Sequence, residues 1–235
     1  MQRTEMNRRL AVLPLVGGLL WLVAACTIDA YDKGEGDYSL TTAELVEAHV
    51  GSDKQVDYVD TDLGERLKMT SRLTAKWIEK ADTTYRAVLY YNKIRENEAE
   101  AVSLGRVGVI VPHSLSSDSS SAKGIPAVMK TDPVHLESAW LSKNRRYLNL
   151  RLRLLTGATA DEEAVHTIGL VPDSLTSTPQ HAHLLFYHDQ GGKPEYYSQV
   201  AIASIPLYLL KTDTITLKIN TYDGVVERTF VGIEN

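Results

Sequence analysis

Asn149-Leu150-Arg151-Leu152-Arg153-Leu154-Leu155 places leucine at 150, 152 and 154 and arginine at 151 and 153. Successive side chains of an extended chain point to opposite faces, so this segment is a strand with one apolar face and one wet face. Such strands belong to antiparallel sheets that bury one side only. Outward from it, strand-like runs recur at 134–142, 147–155, 164–171, 182–188, 197–210, 214–220 and 225–232. They are separated by turn-forming segments at 143–145, 157–163, 172–179, 189–194, 212–213 and 222–224. Seven strands at this spacing predict an antiparallel β-sandwich of immunoglobulin-like type over residues 132–235. Asp223-Gly224, between Thr221 and Val225, supplies the left-handed backbone that a tight hairpin needs.

The first half is also β in pattern. Residues 55–59, 66–69, 84–91 and 106–111 are strand-like, and Arg66-Leu67-Lys68-Met69 alternates cleanly. Residues 41–49 admit two readings, a strand or a helix capped by Thr42. Gly51-Ser52 would cut that helix to two turns, which favours the strand. Five or six short strands in this span fit a small barrel that protects its edges by curling, although periodicity alone leaves an open sheet as the alternative. The serine-rich stretch 114–124 and the prolines at 126 and 133 then mark a connection. The domain boundary is placed accordingly, with a first domain at 39–131.

The amino terminus carries a targeting signal. Arg3, Arg8 and Arg9 precede an apolar run at 10–25 that is broken by Pro14 and Gly17-Gly18, short of the roughly 20 residues of a spanning helix. The frame Leu22-Val23-Ala24-Ala25-Cys26 resembles the lipobox of bacterial lipoproteins, in which the cysteine is acylated and becomes the first residue. Cys26 is the only cysteine of the chain, and the alternative, an ordinary cleavage near Ala25, would leave an unpartnered thiol in an oxidising compartment. Removing residues 1–25 takes the net charge from -5 to -7. Without Lys/Arg blocks, the remaining chain has no electrostatic footprint for nucleic acid. Residues 26–38, rich in Asp, Glu and Gly, read as a flexible tether, since they have too little apolar surface to offset the entropy of ordering.

Trp140, Tyr147-Leu148-Asn149-Leu150, His166-Thr167-Ile168-Gly169-Leu170-Val171, Leu184-Leu185-Phe186-Tyr187-His188-Asp189 and Pro194-Glu195-Tyr196-Tyr197 resemble the C-terminal domain of NigD-like lipoproteins. The tether ending in Gly36-Asp37-Tyr38-Ser39-Leu40 is similar to the same family's start. The resemblance implies a lipidated cysteine, an OB-type barrel and a C-terminal β-sandwich. It implies no reaction.

Chemistry has to be sought in the residues themselves. His181 and His183 share a strand face and His188 lies on the other, so the local spacing supplies no third zinc ligand. His166, within an apolar strand, reads as a structural histidine. Ser114, Ser138 and Ser204 lack the Gly-flanked elbow of a hydrolase nucleophile, and Asp161, Glu162 and Glu163 form a loop cluster explained by solvation. No catalytic residue, metal or cofactor is therefore assigned.

Binding is the remaining class. Tyr58, Trp77, Tyr85 and Tyr91 are the candidates in the barrel, with Tyr196 and Tyr197 in the sandwich. For Trp77 the alternative is a core position with charged neighbours turned outward. The expected protein is a non-catalytic envelope lipoprotein, a binding or scaffolding module held to the outer membrane by its lipid anchor, with an envelope protein or glycan as partner. The alternative is a hydrolase of an envelope polymer, which would need paired carboxylates or a histidine with a nucleophile.

Overall fold

A computed structural model of the chain describes residues 41–113, 128–160 and 164–232. The expectations for the signal segment, Cys26, the tether, the serine-rich stretch and residues 161–163 lie outside the described residues. The described chain is all-β: a closed five-stranded, OB-like barrel and two four-stranded sheets.

The barrel is built from β1 (Thr42–Val50), β2 (Val56–Thr61), β3 (Arg66–Met69), β4 (Thr83–Arg95) and β5 (Glu98–Arg106), in the spatial order β1-β2-β3-β5-β4. Residues 42–50 are a strand because Val46, Ala48 and Val50 alternate inward while β2 and β4 occupy both edges. Those side chains meet Val59, Leu67, Ala87 and Leu89 in one core. The loop between β3 and β4 adds Leu73 and Ile78 to it. The strand expected at 106–111 is corrected: the fifth barrel strand runs earlier, from Glu98 to Arg106, and its inward face includes the small side chain of Ala99. Only Gly108–Val109 continues extended, as β6, and it pairs with a strand outside the barrel.

Beyond the barrel come β7 (His135–Leu141), β8 (Tyr147–Thr156), β9 (Thr167–Pro172), β10 (His181–Asp189), β11 (Tyr197–Pro206), β12 (Thr214–Thr221) and β13 (Gly224–Val231). All seven expected strands are present. The run 197–210 ends early, at Pro206, where Leu207–Leu209 form a 3-10 turn. The sheets have the orders β13-β12-β10-β9 and β6-β11-β8-β7. Leu150, Leu152 and Ile205 from one sheet pack with Leu184, Phe186 and Leu217 from the other.

Neither sheet is purely antiparallel, which corrects the expectation. β10 and β12 run parallel, as do β6 and β11. Because β11 belongs to the opposite sheet, the chain leaves β10, crosses over and returns as β12 in the same direction. Alternation encodes which face a side chain takes and says nothing of strand direction.

The barrel and the sheets cluster as one compact unit, joined through polar groups. Arg86 on β4, with its side chain 1% exposed, donates from Nη2 to Asp62 Oδ2 at 2.7 Å and Asn149 Oδ1 at 3.1 Å, and from Nε to Ser204 Oγ at 3.0 Å. Its guanidinium lies 4.0 Å over the Tyr147 ring. Tyr147 Oη and Arg146 Nη2 both donate to Glu47 Oε1, at 2.6 and 2.9 Å. A cation in a site this dry is tolerated only because it is paired and hydrogen-bonded.

Candidate functional site

On the barrel surface, β1, β2 and β3 align two rows of polar side chains. His49, Tyr58 and Lys68 are register neighbours, as are Glu47, Asp60 and Arg66. Arg66 donates to Asp60 through Nε and Nη2, at 2.7 and 2.9 Å, and that pairing holds the Asp60 carboxyl below the usual range, with His49 assisting. His49 is also 2.9 Å from Asp60 Oδ2 and 3.0 Å from Thr84 Oγ1. Tyr58 is already occupied: the His49 ring stacks on it at 4.3 Å and the Arg66 guanidinium lies 4.3 Å from its centroid. A shallow cleft of about 530 Å³ opens beside Tyr58, Arg66, Lys68 and Asn97.

Glu47, His49 and Asp60 bring ligand atoms within 4.8 Å of one another, the spacing of a metal trio that sequence spacing did not reveal because two strands contribute it. Each member is engaged otherwise. Glu47 holds Arg146 and Tyr147, Asp60 holds Arg66, and His49 bridges Asp60 and Thr84. A cation entering here would have to displace two guanidinium partners, so the trio is read as part of an ion-paired surface.

The other barrel candidates are less exposed than expected. Tyr91 is corrected: it is 3% exposed, its ring lies in the barrel core, and its hydroxyl donates to Glu44 Oε2 at 2.7 Å. A long strand with inward odd positions at 87, 89 and 91 buries it, and burial pushes its hydroxyl pKa up. Trp77 and Tyr85 meet edge to face at 5.6 Å and pack against the barrel core. The Tyr85 hydroxyl accepts N–H bonds from Glu79 and Lys80, so this pair clamps the loop between β3 and β4.

The most open aromatic side chains sit at one end of the two sheets. Tyr196 is 80% exposed and Tyr197 57%, both just where β11 begins beside Thr156 of β8. Pro194 and the Tyr196 ring lie across Gly157, where any Cβ would stand 2.8 Å from each, so glycine is required for this approach. The neighbouring hairpin contributes Tyr222, whose hydroxyl donates to Glu195 Oε1 at 2.9 Å and whose ring stacks on His135 at 4.6 Å. The sequence analysis names Tyr196 and Tyr197 as candidates but neither Tyr222 nor His135, which are brought together through the pairing of Val134 with Thr221. Tyrosine gives large contact area at low rotamer cost.

Behind this end lies a histidine pair. His188 Nδ1 donates to the Asp132 carbonyl at 2.9 Å, which leaves its Nε2 to accept from His166 Nδ1 at 3.0 Å. The rings stack with 10° between their planes. His166 Nε2 is buried and has no hydrogen-bond partner. His181 and His183 also stack, at 4.1 Å, with His181 bonded to Thr216, as their shared face predicts.

Comparison with known proteins places this fold. Residues 118–231 match the family model described as the NigD-like C-terminal beta sandwich domain. A NigD-like immunity protein from Bacteroides caccae is similar at 27% identity and a TM-score of 0.62, over 81% of this chain and 96% of that one. A toxin-related protein from Parabacteroides distasonis shares the fold at 16% identity and a TM-score of 0.61, covering 81% of this chain and 92% of that one. So does a protein described as a lipoprotein from Bacteroides fragilis, at 13% identity and a TM-score of 0.56, over 83% of this chain and 99% of that one. No curated protein matches the chain. Residues 118–231 are therefore similar to the C-terminal β-sandwich domain of NigD-like proteins.

Proposed function

We propose that this chain is a non-catalytic envelope lipoprotein that binds a protein partner through the tyrosine-bearing end of its two sheets. The observation that carries the reading is the exposure of Tyr196 and Tyr197 on a backbone held by Gly157, beside Tyr222 and Glu195. Exposed aromatic side chains gathered at one place on an ordered frame mark a candidate binding surface. The similarity to a protein described as a NigD-like immunity protein supports a protein as that partner. In this reading the two sheets form an immunoglobulin-like sandwich, residues 39–131 and 132–235 are the two domains, and the tether ending at acylated Cys26 holds them to the outer membrane. Tyr58, Trp77 and Tyr85 are then structural clamps of the barrel.

The test uses the mature lipidated form, purified from the membrane, with its mass showing the acyl chains on Cys26. Photo-crosslinking from position 198, beside the two tyrosines and exposed, should trap an envelope protein, and Tyr196→Ala with Tyr197→Ala should abolish the product while leaving the fold intact by circular dichroism. Undiminished crosslinking in that double variant would place the binding surface elsewhere.

A further inference from the structure

We infer that the free edge of β13 takes up an extended peptide segment of a partner as an added strand, and that this segment presents an acidic side chain flanked by apolar ones. The inference rests on the reading of the chain as a protein-binding module, at a surface separate from the tyrosines. β13 and β7 are the end strands of their sheets on the same side of the molecule. Between them runs a groove of about 410 Å³, lined by Leu136 and Ala139 of β7 and by Arg228 and Phe230 of β13.

The two edges differ. β7 is interrupted by a bulge between Leu136 and Ser138, and its Glu137 is drawn across to Arg151 and Arg153, which blunts it as a template. β13 is eight residues long, keeps an unbroken register with β12, and has no backbone partner on its outer side among the described residues. The other end of its sheet is covered, since residues 112–113 pair with Leu170 of β9.

Side-chain direction then specifies the occupant. Val226, Arg228 and Phe230 share one face of β13, and their register partners on β12 are Ile219, Leu217 and Ile215, all buried core residues. Arg228 therefore stands on the core-facing side of the edge, between two apolar side chains, and pairs with no carboxylate among the described residues. A strand laid along β13 would place its own side chains opposite these three. Directly opposed residues interact, so the complementary segment has an acid opposite Arg228 and apolar residues two positions to either side.

The experiment compares two capped synthetic peptides, TVTETVT and TVTKTVT, on the full chain, reading backbone amide exchange by NMR. The acidic peptide should slow exchange along β13, and the lysine peptide should bind about tenfold more weakly. Arg228→Glu should reverse the preference; if that variant does not fold, the comparison on the unaltered chain still decides. Equal protection by both peptides, or none along β13, overturns the inference. So does an Arg228→Val variant that aggregates while neither peptide binds, since Arg228 would then only guard the edge against self-association. Peptide failure with the crosslink from position 198 intact would remove this inference and leave the proposed function standing.

Discussion

His166 shows how one side chain can tie stability to pH. Its Nδ1 proton goes to His188, so a second proton would have to sit on Nε2, which is buried without an acceptor. Burial first, then the neighbouring His188 and Lys193, holds its pKa below the ordinary histidine range, and Asp132 and the Leu155 backbone offset only part of this. In the unfolded chain the imidazole titrates near its ordinary value of about 6.5. The unfolded state therefore takes up the proton first on acidification. The His166 contribution is complete above that pH and is lost as pH falls through it toward the lower folded value. Urea unfolding at pH 7.5 and pH 5.5 should show a loss in the wild type that His166→Leu reduces. An equal loss in both would shift the pH response to other groups.

Among the elements, the hairpin of β12 and β13 was the most legible and still differs in detail. The sequence reading put the left-handed backbone at Asp223-Gly224; in the structure Thr221 pairs with Gly224, and of the turn residues only Gly224 has positive φ, at 112°. An alanine there would be strained although space around it is open, so Gly224→Ala should destabilise the fold by about 1 kcal/mol, measured by urea unfolding. No loss would mean that the turn relaxes into another type. The strands from β7 to β13 were readable because leucines and isoleucines alternate between turn residues. β5 was not, because alanine marks its inward face and glutamates its flanks. The parallel pairs and the side of the sheet that Tyr222 and His135 share depend on crossovers, which no local pattern records. Tyr91 differs from the expectation because adjacent Tyr90 and Tyr91 are the same residue type, and only the parity set by inward Ala87 and Leu89 turns Tyr91 into the core.

At the scale of the whole molecule, the barrel and the sheets meet through charge and hydrogen bonds more than through a shared apolar core. Their apolar clusters are separate, while Arg86, Asp62, Asn149 and Ser204 form one hydrogen-bonded set that leaves Arg86 Nη1 and Asp62 Oδ1 buried without a partner: Asn149 Nδ2 donates to Asp62 Oδ2 at 2.8 Å and Ser204 Oγ to Asn149 Oδ1 at 2.7 Å. Breaking such a set strands a buried cation. Asp62→Ala should cost about 3–5 kcal/mol, chiefly because Arg86 remains in place without its carboxylate. The chain from residue 26 onward retains two tryptophans that report on the two sides separately, Trp77 beside the barrel core and Trp140 on β7. If the polar junction couples the units, unfolding followed in Trp77→Phe and Trp140→Phe variants gives one common midpoint, and adding Asp62→Ala separates them. Two midpoints in the unsubstituted background would show instead that each unit is stable on its own core, and that Arg86 fixes their docking without contributing to their cooperativity.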